Sequence, residues 1–272
     1  MRDVRPAAVA GMFYPGIPAD LAASVRECLV EAATRPRVGG HRPKALIVPH
    51  AGYVYSGPIA AAAYARLAGS HATVRRVVIF GPTHRVAVRG LALPSVRAFA
   101  TPLGEVELDR KATALALSLP QVEQNDAAHA FEHSLEVQLP FLQAVLDDFR
   151  IVPFAVGAAT PDEVADVIER LWGGPETLIL VSSDLSHYHR YSEACAIDRG
   201  SADGILALSS SLDHEQACGA TPINALALCA RRHGLVPELL DLRNSGDTAG
   251  DRSRVVGYAS FAFVEGAGRA RS

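Results

Sequence analysis

Three histidines follow short apolar runs in the same way. His50 comes directly after residues 45–48 in ALIVPH, His84 after 77–80 in VVIFGPTH, and His187 after 177–181 in TLILVSSDLSH. Imidazole is both a metal ligand and the side chain whose ordinary pKa lies nearest neutrality. A single histidine is more often a hydrogen-bonded core or surface residue, but three at matching positions weigh toward a function. A second group is HAFEHSLE at 129–136. His133 and Glu136 are three apart and share a face of a helix that starts there. The same residues also fit an ordinary helix N-terminus, with Ser134 as cap and acidic residues favoured by the dipole. Cys218, in CGATP at 218–222, precedes a helix. A thiol so placed is expected to ionise more readily and so to bind metal or act as a nucleophile, although a buried free cysteine is the commoner fate. Cys28, Cys195 and Cys229 lie inside helical patterns and read as buried free cysteines. The loop HAGYVYSG at 50–57 matches neither GxGxxG nor GxxxxGK[ST], so a phosphate cradle has little support there.

The elements that must position these residues are legible from apolar patterning. Residues 45–48, 77–80, 151–156 and 177–181 are apolar on both faces and rich in β-branched types, as strands covered on both sides are. Pro153 fits the third only at an edge or a bulge. Helical segments are expected at 58–67, 109–119, 134–149, 162–171, 191–208 and 222–233, with Pro140 starting, kinking or breaking the third. Thr160 and Pro161 suit the cap and first position of the fourth. Residues 255–264 read as a late strand, and RNSGDTAGDRSR at 243–254 as a loop. Strands alternating with helices predict an α/β fold: one domain over 1–272, with a central mixed, largely parallel sheet flanked by helices. In such sheets ligands bind beyond the carboxyl ends of the strands, so parallel strands would bring His50, His84 and His187 to one rim.

Composition narrows the function further. The 272 residues carry 26 Lys and Arg against 29 Asp and Glu, a formal charge of −3, with 49% hydrophobic residues. That excludes a disordered chain and leaves no basic excess for nucleic acid. No run approaches the ~20 apolar residues that span a bilayer. The N-terminal MRDVRPAAVAGMFYPG has no apolar run of signal-peptide length. Four scattered cysteines suggest neither disulfides nor a zinc knuckle. The expected setting is cytoplasmic, with reduced thiols.

PHAGYVYSG at 49–57, GPTH at 81–84, EHSLEVQLPFLQ at 132–143, SSDLSHY at 182–188 and CGATPI at 218–223, with AGMFYP at 10–15, resemble the Memo family and its AmmeMemoRadiSam system protein B group. That family in turn resembles class III extradiol ring-cleaving dioxygenases. The resemblance implies a metal held by His50, His84 and Cys218. His187 would be the acid/base histidine, oriented by Asp184, with His133 nearby in the catalytic pocket. Tyr14, Tyr53 and Glu136 are expected to line the substrate pocket. In the dioxygenases two histidines and a carboxylate hold Fe(II) with an open face; here Cys218 would stand in for the carboxylate. Fe(II) is the expected metal, with copper second and zinc third. The function implied is a mononuclear iron or copper redox protein acting on a small molecule or peptide. The alternatives are a non-catalytic binding or scaffold protein that uses the same pocket, and a zinc hydrolase.

Overall fold

The four apolar runs are strands, and they lie side by side. The computed structural model describes residues 3–34 and 42–266. In chain order the strands are β1 (Val4–Arg5), β2 (Pro43–Val48), β3 (Arg76–Pro82), β4 (Leu91–Leu93), β5 (Ala98–Thr101), β6 (Gly104–Glu107), β7 (Val122–Gln124), β8 (Arg150–Val156), β9 (Thr177–Ser182), β10 (His187–His189), β11 (Leu235–Asn244) and β12 (Val255–Glu265). The helices are α1 (Pro18–Ala33), α2 (Tyr53–Tyr64), α3 (Arg110–Ala116), α4 (Asp126–Ala130), α5 (Leu139–Val145), α6 (Pro161–Arg170), α7 (Tyr191–Leu206) and α8 (Ala220–His233).

The main sheet runs β10-β12-β2-β9-β3-β8-β4-β7, with β11 added on β12; β1, β5 and β6 form a small second sheet. At its centre β2, β9, β3 and β8 are parallel. β12 is antiparallel to β2, and β4 is antiparallel to β8. The architecture is the expected α/β fold with a mixed sheet between helices.

Alternation along each strand divides the core in two, because successive side chains point to opposite faces. Ala45, Ile47, Val78, Phe80, Ile179 and Val181 pack with residues of α6 and α8. Leu46, Val48, Val77, Ile79, Leu178 and Leu180 pack with residues of α1, α2 and α5. Both faces are buried, which is why these strands read as unbroken apolar runs. Pro153 needs no bulge: at its level β8 is paired with β3, and β4 joins only at Ala155 and Val156.

Three expectations are corrected. Helix α2 begins at Tyr53, not 58, and carries Pro58 inside it. The segment expected to be loop from 243 starts within β11, a half-buried strand without clean alternation. Residues 134–149 are not one helix; a 3-10 turn at Glu136–Gln138 precedes α5, and Pro140 sits in its first turn. Among the described residues no helix is long and apolar enough to cross a membrane.

Candidate metal centre

Because β2, β3 and β9 run parallel, the residues that follow them leave from one edge of the sheet. His50 lies two positions past β2 and His84 two past β3. The third ring at this point is His133, from the connection between α4 and α5. Ring centroids are 5.2 Å apart for His50–His84, 4.5 Å for His84–His133 and 5.4 Å for His50–His133. One donor atom from each ring lies within 4.8 Å of the other two, so these three side chains could hold a metal ion.

Hydrogen bonds decide which nitrogen of the His50 and His84 rings is free, and an ion-pair contact orients His133. The Ser182 hydroxyl donates its only proton to the Ser134 carbonyl, at 2.6 Å. It therefore accepts from His50 Nδ1, at 3.0 Å, and from the Gln138 amide at 2.8 Å. A carboxylate can only accept, so His84 Nδ1 donates to Glu132 Oε1 at 2.8 Å. His133 Nδ1 lies 3.3 Å from the same oxygen. With each Nδ1 turned to a protein oxygen, the three Nε2 atoms are left for the shared point. A ligand histidine whose other nitrogen is fixed by a carboxylate or hydroxyl is the usual construction of a metal site.

Glu132 organises this corner. Its carboxylate also accepts the backbone N–H groups of His84 at 2.7 Å, and of His133 and Ser134 at 2.9 Å each. Burial alone would raise its pKa, but the His84 ring and the backbone donors outweigh it and hold the acid at about 2. Two glycines permit the close approaches. A Cβ on Gly81 would lie 2.7 Å from Ser134 Oγ, and one on Gly219 2.7 Å from the Ser183 Cβ. The first lets the His133 segment close onto β3, and the second brings the Cys218 turn onto the end of β9.

Two of the imidazoles, His50 and His133, are held neutral, as ligands must be. Burial, with the neighbouring His84, pushes His50 down to about 3; burial and His50 push His133 down to about 4. Buried His129, whose Nε2 bonds the Ala92 carbonyl at 3.0 Å, is also lowered by burial to about 4. Unfolded histidines titrate near 6.5. As pH falls below that value the unfolded chain takes up protons that the metal-free fold refuses, so stability is lost on acidification through the window down to about pH 4 for His129 and His133 and about pH 3 for His50. The slope is up to about 1.4 kcal/mol per pH unit for each group. Buried Asp184 and Asp198, both raised by burial, offset part of the loss. Urea unfolding of the metal-free protein is expected to show a lower midpoint at pH 5 than at pH 7.5. Equal midpoints would contradict the neutral cluster.

A family model described as Memo-like protein matches residues 5–262. The chain belongs to the Memo family. It is 34% identical to a MEMO1 family protein of Sulfolobus acidocaldarius, over 96% of this chain and 99% of that one. It is 37% identical to one from Methanothermobacter thermautotrophicus, over 94% and 99%, and 37% identical to one from Ignicoccus hospitalis, over 96% and 98%.

The Memo motifs converge on this corner, with differences in role. Cys218 touches the cluster from the His50 side, its sulfur 3.4 Å from His50 Nε2, but it is not among the three mutually close donors. Its expected low pKa is overturned: burial and the nearby Asp184 carboxylate push the thiol up to about 12, against hydrogen bonds from Ser183 and the Asp184 and Gly219 backbone. Asp184 does not hold the His187 ring. Its Oδ1 accepts the His50 backbone N–H at 2.7 Å, and no hydrogen bond joins it to His187 among the described residues. His187, half-buried in β10, stays close enough for its charge to act on both His50 and Asp184.

The expected pocket lining turns inward. Tyr14 donates to Glu136 Oε1 at 2.5 Å, and Tyr53 donates to the Val137 carbonyl at 2.7 Å. Glu136 is fully buried and also accepts from Arg5 at 2.5 Å and from the Ala8 and Val9 N–H groups. All three serve the fold. His133 and Glu136 do not share a helix face, because His133 precedes the turn at 134–135 and the 3-10 turn starts only at Glu136. Glu132 and Arg5 were not anticipated. For Glu132 the available signal was an acid directly beside a candidate ligand.

Proposed function

We propose that this protein binds one redox-active metal ion, iron first and copper second, at His50, His84 and His133, with Cys218 as an additional sulfur donor beside His50. The observation that carries the reading is the convergence of three imidazoles, with the Nδ1 atoms of His50 and His84 held by hydrogen bonds elsewhere and that of His133 lying 3.3 Å from Glu132 Oε1. Three borderline nitrogen donors and an adjoining soft sulfur suit iron and copper. A bound ion would supply Lewis acidity and one-electron redox chemistry to a ligand. The chain's own part is to orient that ligand and manage its proton. His187, free of ring hydrogen bonds among the described residues, is the group proposed to hold or move that proton. The His84 side chain, 30% exposed, marks the open side.

A ligand with apolar surface, small molecule or peptide, fits the surroundings. Met12, Val54, Tyr55, Phe131 and Tyr188 are exposed large hydrophobics on the segments that carry the site. Phe13 packs its ring, tilted by 46°, with its centroid 4.6 Å from that of His133. Exposed apolar side chains beside a site offer a ligand apolar contact.

The test is anaerobic titration with Fe(II), Cu(I), Zn(II) and, for its visible spectrum, Co(II). One equivalent of Co(II) is expected to bind with a sulfur-to-metal band that Cys218→Ser removes while most affinity stays. Iron or copper is expected to compete zinc out under reducing conditions. Absence of saturable binding would overturn the metal reading. Preference for zinc over both would favour hydrolysis, and a band unchanged in Cys218→Ser would remove the sulfur from the ligand set.

A further inference from the structure

At the opposite edge of the sheet, about 20 Å back along β3 from its histidine end, a second group of side chains gathers around a cavity of about 190 Å3. Its walls include Arg76, Lys111 and Arg170, with Ala112, Leu115 and Leu171 between them. None of these residues belongs to the metal centre. Arg76 is anchored, donating from Nε to Asp109 at 2.8 Å and from a terminal nitrogen to Thr177 Oγ1 at 3.4 Å. Lys111 and Arg170 are exposed and have no acidic partner among the described residues. Three cations against the single Asp109 carboxylate leave a local charge of +2 on a chain whose formal net charge is −3. Glu176, on the neighbouring turn, already accepts from Gly174 and Thr177 and is matched by the Lys44 charge.

Like charges held around one space repel, and a bound anion is what turns that repulsion into attraction. Charge and size together select the anion. A phosphate monoester carries close to two negative charges at neutral pH and offers three strong acceptor oxygens, which matches a +2 site with two free cationic donors. The cavity holds the volume of roughly six waters, enough for a phosphate and a few carbons, and Leu115 and Leu171 give those carbons an apolar wall. We propose that this cavity binds the phosphate monoester of a small molecule, its phosphate between Lys111, Arg170 and Arg76 and its carbon body against Leu115 and Leu171.

The probes are glycerol 3-phosphate and inorganic phosphate, titrated calorimetrically into the metal-free full chain. Both are expected to bind saturably, the organic phosphate more tightly. The double variant Lys111→Ala/Arg170→Ala changes only exposed side chains and is expected to weaken both by at least about tenfold, from loss of two charged hydrogen-bond donors. His50→Ala separates this site from the metal centre and is expected to leave phosphate binding unchanged. No saturable binding by the wild type, binding by the double variant equal to the wild type, or loss in His50→Ala would each overturn the proposal. Equal affinities for the two probes would overturn its apolar half. None of these outcomes bears on whether the histidines hold metal.

Discussion

Glu132→Ala is expected to lower Co(II) or Fe(II) affinity by about 100-fold or more. Loss of one carboxylate that orients a ligand histidine typically costs 10- to 100-fold, and here one carboxylate serves two ligands. It fixes the His84 ring at 2.8 Å and lies 3.3 Å from the His133 ring. It also receives the N–H groups of His84, His133 and Ser134, so the backbone carrying both rings loosens with it. Each buried N–H left without an acceptor costs about 1–3 kcal/mol, so the alanine variant is also expected to melt earlier. Glu132→Gln separates the two effects. The amide keeps one acceptor oxygen and the shape but loses the charge that holds both Nδ1 protons in place. It is expected to fold, and to bind Co(II) at least about tenfold more weakly than wild type. His50→Ala, which removes a ligand outright, sets the floor of the same titration. Glu132→Gln binding within twofold of wild type would mean that His84 and His133 are oriented without it.

How much of this was readable beforehand depends on the distance over which each signal acts. His50 and His84 were legible because their positions follow from local pattern: an apolar run, a turn and then an imidazole, repeated on strands that two-sided burial makes easy to recognise. His133 was visible as a candidate but received the wrong geometry. The spacing to Glu136 suggested a shared helical face. The chain is not helical at 132–135, where the backbone N–H groups of His133 and Ser134 bond the Glu132 carboxylate instead of continuing a helix. A side chain that captures nearby backbone donors competes with regular structure, and periodicity does not register that. The thiol of Cys218 shows the same limit for electrostatics. Position before a helix argued for ready ionisation, whereas burial and the Asp184 charge, set by segments far away in the chain, push it the other way. The two-sided apolar runs of β2, β3 and β9 needed no such long-range information, and the fold class followed from their alternation with helices.

A buried long-range ion pair is the feature whose removal should cost the most stability. Arg5→Met is expected to destabilise the protein by about 3–5 kcal/mol, the usual cost of breaking a buried ion pair from one side. Arg5 is 4% exposed and Glu136 is fully buried, their charged atoms 2.5 Å apart. Methionine matches much of the arginine stem but leaves the Glu136 carboxylate with only the Tyr14 hydroxyl and the Ala8 and Val9 N–H groups around it. The same guanidinium binds the carbonyls of His129 and Glu132 at 2.6 Å each, and these lose their donors too. The Arg5→Met/Glu136→Gln double variant removes the stranded charge and is expected to recover part of the loss, since buried pairs contribute less net stability than breaking them costs. A thermal melt should drop by on the order of 10 °C in Arg5→Met, at a few degrees per kcal/mol for a chain of this size, and rise again in the double variant. Because the Glu132 carbonyl is one of the groups released, metal affinity should also weaken in Arg5→Met, by less than in Glu132→Ala. A melt within 2 °C of wild type, set against the few degrees expected per kcal/mol, would mean that the Arg5–Glu136 pair does not hold the fold and that the N-terminal segment does not support the histidines.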